Sequence, residues 1–467
     1  MDIIYETLNA EFTPEALAQM REKKVIFESA SQHEMKGRYS MVAFDHHGKV
    51  TLDSHTLTVE YPDCLFSYSN EPYEKLKNLL NEYKADVEDP VLAELLFVSG
   101  FIGSCSFDLV RHAFRKLQEI EVENKTDDLV FYMVESVYVF DHYREKIHVI
   151  TSNLFSGISS EELEARLAAM VEEAKSVRLF HPVITYDNSK REIETNISEA
   201  DFMKTVSYFK ELIQKGDMFQ AVPSRIYRYR HAFGMERNVL TFQLYKNLKR
   251  QNPSPYMYYL NFDDPIIIGS SPESFVKVQG GKVITNPIAG TIRRGKDPED
   301  DLRNAEALAG DEKELSEHRM LVDLGRNDVN RVSEQGSISL DRLMEIEKYE
   351  HVMHIVSVVT GDVKKDISPI DVVTSLLPTG TVSGAPKLRA IERIYEVRPE
   401  KRGIYSGGVG YINCNQELDF ALAIRTMLVD EEYVNVEAGC GVVYDSIPEK
   451  ELEETKLKVK SLMEVHP

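Results

Sequence analysis

Apolar positions along the chain fall into two textures. From residue 1 to about 178, short runs rich in Val, Ile, Phe and Tyr alternate with turn residues: KVIFESA, RYSMVAFD, LLFVSGFIGSC, LVFYMVESVYVFD and KIHVITSN. Runs of β-branched and aromatic residues bounded in this way predict strands. Residues 159–177, SSEELEARLAAMVEEAKSV, space Leu163, Leu167, Met170, Val171 and Ala174 at helical intervals behind a Ser cap, which predicts a helix. The stretch HPVITYDNSKREIETNIS is polar and broken, and sets a linker over 179–198 between an amino-terminal region, 1–178, and a larger region, 199–467.

The second region mixes both patterns. DFMKTVSYFKELIQKG predicts a helix closed by Gly216, and YMYYLNFDDPIIIGSSPESFVKV two strands around an Asp-Asp-Pro turn. DPEDDLRNAEALAG and DEKELSEHRMLVDLGRND predict consecutive helices. YSGGVGYI, LDFALAIRTMLVD and YVNVEAGCGVVY follow as strands, and EKELEETKLKVKSLMEV as a last helix. The alternation lacks the regular period of a doubly wound fold, so the expected class is α+β, a sandwich of β-sheets flanked by helices. No internal repeat and no low-complexity tract is present.

Composition narrows the function classes. The 467 residues are 42% hydrophobic and 28% charged, and no stretch approaches the roughly 18 apolar residues of a membrane span. The start of the chain has no basic, then apolar, leader pattern, so a cytoplasmic location is expected. A formal charge of −22 disfavours nucleic acid and anionic lipid as partners, because both are bound through clustered basic residues. Cys64, Cys105, Cys414 and Cys440 are too scattered for a disulfide framework or a metal knuckle and read as reduced thiols.

Against that acidic background, certain spacings carry chemistry. Glu314 and Glu317 lie three apart on one predicted helix, Glu451 and Glu454 on another, so each pair shares a helix face. Facing one another, they would form an anionic pocket that tolerates its own repulsion only around a cation, and an all-oxygen set suits Mg²⁺. The plain alternative is two solvated helix faces, and spacing alone does not choose. Arg425 interrupts an otherwise apolar run and needs a partner anion, either an internal Asp or Glu or a ligand carboxylate. Gly439-Cys440-Gly441 would let backbone N–H groups approach an anion, or simply make a turn. LPTGTVSGAPKLRAIERIYEV is no Walker loop, since Lys387 follows Pro386, and nothing supports covalent nucleophilic catalysis.

Taken together and in order, GDMFQAVPSR, SSPESF, PIAGTIRRG, DEKELSEHRMLVDLGRND, LPTGTVSGAPKLRAIERI, RGIYSGGVGYI, AIRT, EAGCGVVYDS and ELEETKLK resemble the chorismate-utilising enzymes over nearly the whole chain. That resemblance implies Glu317 and Glu454 as Mg²⁺ ligands, supported by Glu314 and Glu451. It implies Arg425 and Tyr405 as contacts to the enolpyruvyl carboxylate of chorismate, with Gly290, Thr291, Thr381, Gly439, Cys440 and Gly441 lining the substrate site. It implies Glu273 as the acid for the departing C4 hydroxyl and His354 in a pyruvate-releasing step. Lys458, four after Glu454, is either an i,i+4 partner or a proton carrier.

Within the family, the nucleophile separates the members. Isochorismate and salicylate synthases resemble one another in a water-activating lysine where this chain has Gln220, and glutamine is no base. Aminodeoxychorismate synthases typically carry a lysine where PIAGT has Ala289. Neither lysine is present, which points to ammonia as nucleophile and to the anthranilate synthase large subunits. Aminodeoxychorismate synthase is the nearest rival, and a non-catalytic regulatory or binding subunit is the rival of another class. Phe27-Glu28-Ser29 with Gly37-Arg38-Tyr39-Ser40, and Asn252-Pro253-Ser254-Pro255-Tyr256-Met257, resemble the feedback site for L-tryptophan, which implies Ser29, Pro255, Tyr256 and Met257 as inhibitor contacts. No amidotransferase elbow is visible, so glutamine use implies a glutamine amidotransferase small subunit, in a heterotetramer of two large and two small chains. Asn286 stands where an arginine commonly precedes PIAGT, and Cys440 replaces a usual alanine.

Overall fold

The computed structural model describes residues 1–29, 37–178, 191–348 and 352–467; residues 179–190 of the expected linker lie outside the described residues. Two large antiparallel sheets, of eleven and twelve strands, form its body. The eleven-stranded sheet takes Ile3–Asn9, Lys146–Ser152, Ser136–Asp141, Tyr39–Ala43 and Lys24–Glu28 from the first region. It continues directly into Tyr256–Asn261, Ile266–Ser271, Thr426–Val429, Tyr433–Gly439 and Ser224–Arg230 of the second, and ends on Glu194–Thr195 of the linker. Its two halves meet where Phe27 pairs with Tyr258 and Glu28 with Met257.

In the twelve-stranded sheet, the halves meet where Gly100–Cys105 pairs with Gly408–Asn413, placing Gly103 opposite Gly410. A Cβ at either glycine would stand 2.0 Å from a neighbouring strand's carbonyl oxygen, so only glycine allows this approach.

Continuous apolar runs become strands here because both faces of each sheet are covered. Val25, Tyr258 and Leu260 point with Ile102, Tyr132, Val409 and Tyr411 into a core between the sheets. Their neighbours Ile26, Met257 and Tyr259 pack outward beneath helices such as Arg237–Gln251 and Pro448–Met463. The outer face of the second sheet, with Phe131, Phe275 and Phe420, is covered by helices including Pro72–Glu82, Glu312–Val332 and Pro369–Leu376. The helix Ser160–Lys175 forms as its pattern predicts, with Ser159 and Glu162 closing a capping box and Leu163, Met170, Val171 and Ala174 buried. The expected α+β sandwich is what forms. Among the described residues, no helix is long and apolar enough to cross a membrane.

Three runs fold differently from their reading. LVFYMVESVYVFD is divided between Leu129–Val134 in the twelve-stranded sheet and Ser136–Asp141 in the eleven-stranded one. YMYYLNFDDPIIIGSSPESFVKV makes three strands, because the chain leaves the eleven-stranded sheet at Ser271 and enters the other at Ser274. LDFALAIRTMLVD is also divided: Leu418–Leu422 lies in the twelve-stranded sheet and Thr426–Val429 in the eleven-stranded one. Apolar periodicity does not register the change because both sheets bury the same residue types.

Candidate active site

The crossings at Ser271–Ser274 and at Leu422–Thr426 run side by side. Leu422 N–H donates to the Glu273 carbonyl at 3.0 Å, Ser271 Oγ to the Leu422 carbonyl at 2.7 Å, and Ser270 N–H to the Arg425 carbonyl at 3.1 Å. Backbone groups that leave a ladder in the protein interior must find such partners. Arg425 therefore lies at a corner between sheets, not inside a strand, and its φ of 52° is left-handed. Nor does it take the internal carboxylate partner that its burial suggested. Its guanidinium donates to the Lys458 carbonyl, and no Asp or Glu among the described residues is ion-paired with it. Burial lowers its pKa, with the Tyr405 hydroxyl and the Glu454 carboxylate working against that.

Glu273 sits on the other crossing. Thr381 Oγ1 donates to its Oε1 at 3.1 Å. Desolvation pushes its carboxyl up to about 7, although the Thr381 hydrogen bond and the Lys458 charge oppose the rise. A cavity of about 30 Å³ adjoins it, lined in part by Thr285, Asn286, Thr379 and Thr381.

Gln220–Ala221 pairs with Gly384–Ala385, and Ala221 exchanges hydrogen bonds with Val442. The Gln220 side chain thereby lies over the Gly439–Gly441 turn, where a Cβ on Gly441 would come within 2.8 Å of its Nε2. Its buried Oε1 has no hydrogen-bond donor among the described residues. Tyr405 Oη would lie 2.9 Å from a Cβ on Gly439, and burial pushes its hydroxyl up to about 12 despite the Arg402 guanidinium nearby. Cys440 is fully buried, and its thiol pKa is raised by that burial. Lys458 Nζ joins the turn to the last helix, donating to the Gly439 carbonyl at 2.8 Å while paired with Glu454 at 2.6 Å.

Glu314 and Glu317 share the helix Glu312–Val332, whose amino terminus Asp311 caps. Glu314 Oε2 lies against Gly290, 3.2 Å from where a Cβ would stand. His354 Nδ1 is 2.9 Å from the Gly290 carbonyl and 3.1 Å from Thr291 Oγ1. Glu317 has a raised pKa from desolvation and from the charges of Glu314, Asp311 and Glu451; that of Glu451 is raised by desolvation and by Glu454. The two carboxylate pairs thus feel one another across the site. The buried Glu451 Oε2 has no hydrogen-bond donor among the described residues. Among the described residues no three ligating side chains are gathered around one point. Mg²⁺ asks for only one or two protein carboxylates beside water and ligand, so this donor set fits it.

The remaining group stands apart. Ser29, Pro255, Tyr256 and Met257 line one cavity of about 250 Å³, together with Lys277 and Asp419 of the facing sheet. Tyr256 Oη donates to Asp419 at 3.2 Å. Ser274 and Asn286 line both this cavity and the small one beside Glu273.

Residues 22–464 match the family described as chorismate binding enzyme. The chain belongs to that family. A curated relative, anthranilate synthase component 1 of Lactococcus lactis, is 41% identical over 95% of this chain and 94% of its own; the Bacillus subtilis protein of that name is 33% identical over 95% and 87%. The crystal structure of anthranilate synthase component I from Streptococcus pneumoniae superposes with a TM-score of 0.80 at 36% identity, covering 97% of this chain and 98% of that one. MenF, the menaquinone-specific isochorismate synthase of Escherichia coli, shares the fold at 16% identity, with a TM-score of 0.72 over 99% and 94%.

In this chorismate-binding enzyme, sequence reading passed over two buried groups. Lys387, considered only as a failed Walker lysine, is buried against Asp328 at 2.5 Å and ties the Thr381 loop to the helix of Glu317. Arg402, inside the RGIYSGG string, is buried behind Tyr405. A charged residue within an apolar, glycine-rich string was the available signal in the second case; the first had none.

Glu273 also has a consequence for stability. A carboxyl whose pKa is raised by folding holds its proton more tightly in the folded chain, so stability falls as pH climbs from the ordinary glutamate range through about 7. Glu273→Gln removes that penalty, at most roughly 3 kcal/mol. The variant is expected to melt several degrees above the unchanged protein at pH 8 and with a much smaller gain at pH 5, as thermal denaturation will read.

Proposed function

We propose that the site converts chorismate and ammonia into anthranilate and pyruvate, the reaction of an anthranilate synthase large subunit. Gln220 carries this reading. It occupies the pocket without a basic side chain that could activate water, and Ala289 offers no amine as nucleophile, so ammonia remains. Whole-length likeness to proteins named anthranilate synthase component 1 supports the same conclusion.

Chorismate is a dicarboxylate, and the site has two kinds of anion partner for it. Arg425, with no carboxylate of its own, and the neutral hydroxyl of Tyr405 would take the enolpyruvyl carboxylate. Glu317 and Glu454, supported by Glu314 and Glu451, would hold Mg²⁺. When bound there, the ion would supply positive charge for the ring carboxylate. Glu273, protonated up to about pH 7 in the resting chain, donates its proton to the C4 hydroxyl, which leaves as water while ammonia bonds to C2. Loss of the C2 proton and cleavage of the enolpyruvyl C–O bond then release pyruvate and make the ring aromatic. His354, beside Gly290 and Thr291, serves that second step. Lys458 is fixed by Glu454 and the Gly439 carbonyl, which supports a role in holding the turn that lines the substrate.

Ammonia would reach the site from glutamine through a separate amidotransferase subunit, in an assembly of two large and two small chains. The 250 Å³ cavity at Ser29, Pro255, Tyr256 and Met257 would bind L-tryptophan as feedback inhibitor. Its walls come from both sheets and include Ser274 and Asn286, which it shares with the cavity beside Glu273.

The isolated chain, incubated with chorismate, Mg²⁺ and ammonium at mildly alkaline pH, is expected to form fluorescent anthranilate, and to stop when the metal is chelated; the chain has no Trp, so protein background is low. Absence of anthranilate, or accumulation of an aminated product that keeps its enolpyruvyl group, would reject the reading. Gln220→Lys is expected to yield some isochorismate, detectable by chromatography. L-tryptophan is expected to inhibit the chain, and Ser29→Phe, which fills the cavity, to raise the half-inhibiting concentration roughly tenfold or more, a loss of about 1.4 kcal/mol of binding.

A further inference from the structure

Arg402 carries a buried charge. It is 5% exposed, yet no carboxylate among the described residues accepts from its guanidinium. Nη1 donates to the Val382 carbonyl at 2.9 Å, Nη2 to the Val222 carbonyl at 2.7 Å, and the buried Nε has no partner among the described residues. The group lies 4.5 Å from the Phe107 ring centroid and 5.6 Å from that of Tyr405. Asp108 accepts from the backbone N–H groups of Arg402 and Gly403 and from the Tyr395 hydroxyl, so it anchors the main chain and leaves the cation alone. Glu437, another acid nearby, is taken by Arg398 and Ser224.

A buried, unpaired guanidinium is expensive, and two carbonyl contacts repay only part of its lost hydration. What it holds together is informative. Val382 follows Thr381, whose hydroxyl rests on Glu273. Val222 ends the short segment that carries Gln220 and that pairs on one side with Gly384–Ala385 and on the other with Val442. Tyr405 packs over the same guanidinium and reaches Gly439. Three segments that line the pocket from separate parts of the chain therefore meet on one rigid, planar fork.

We infer that Arg402 is the positioning residue of this site. It sets Thr381, Gln220 and Tyr405 at fixed separations and supplies, behind the pocket, a positive charge that no described carboxylate contacts directly and that draws in a dianionic substrate. The inference rests on the proposed reaction. Lysine keeps the charge but cannot span both carbonyls in the plane of the fork, so charge and bridging are separable.

The test compares Arg402→Lys and Arg402→Met, each isolated as folded protein by size exclusion and circular dichroism, in steady-state anthranilate formation. Arg402→Met is expected to raise the chorismate KM about tenfold and lower kcat roughly 100-fold, the size of effect that displaced reacting groups produce. Arg402→Lys is expected to bring the chorismate KM back to within about threefold of the unchanged chain while kcat stays at least about tenfold down. A folded Arg402→Met with unchanged kcat and KM would overturn the inference, as would failure of both variants to fold, which would make Arg402 a residue of the fold alone. If the unchanged chain makes no anthranilate, the proposed reaction fails and takes this inference with it; if it does and Arg402→Met matches it, only the inference fails.

Discussion

Two segments of this chain must leave one sheet and enter the other side by side, at Ser271–Ser274 and at Leu422–Thr426. Each crossing removes backbone groups from their ladders inside the protein, and the two segments satisfy one another: Leu422 on Glu273, Ser271 on Leu422, Ser270 on Arg425. A corner of this kind turns side chains out of the regular alternation of a strand. The residues turned out are a carboxyl held near neutrality by desolvation and an arginine with no carboxylate of its own. The proposed site lies where the architecture is already obliged to break its pattern.

Around that corner, charge is arranged by segregation. One side gathers cations that are not neutralised by direct carboxylate contact, Arg425 and the buried Arg402. The other gathers Glu314, Glu317, Glu451 and Glu454 on two helices; desolvation with the charges of Glu314 and Glu451 raises the pKa of Glu317, and desolvation with the charge of Glu454 raises that of Glu451. Between them, Lys458 ties the acidic helix to the Gly439 turn. A ligand with two carboxylates, met by a metal at one end and a guanidinium at the other, relieves both excesses at once. The overall charge of −22 has little bearing on its binding, because screening confines exposed charges to about a Debye length.

Much of this was legible in the sequence, and the gaps have physical causes. The helices bearing the acidic pairs were readable because helical spacing is local, and the capped helix Ser160–Lys175 because both its cap and its apolar face lie within one window. The sheet crossings were not readable: Leu418–Val429 is apolar throughout, and a run buried on both faces looks the same whichever sheet receives it. For the same reason Arg425 passed for a strand residue. Arg402 and Lys387 were missed because their partners, Val222, Val382 and Asp328, are distant in sequence, and two of those three contacts are to main-chain carbonyls that no residue type announces. The gathering of Ser29, Pro255, Tyr256 and Met257 around one cavity was legible only through resemblance. The walls of that cavity unite Ser29, Tyr256 and Asp419, which nothing local connects.

In the proposed reaction, the proton on Glu273 is the point on which corner, desolvation and chemistry converge. The decisive measurement is steady-state anthranilate formation by Glu273→Gln at fixed free ammonia and saturating Mg²⁺, alongside its affinity for chorismate. The amide keeps the size of the side chain and can still meet Thr381, but it has no proton to give. Turnover is expected to fall by at least about 100-fold, with chorismate binding within a few-fold of the unchanged chain. A Glu273→Gln chain that binds chorismate and forms anthranilate at the original rate would contradict the role of this corner as the acid of the reaction.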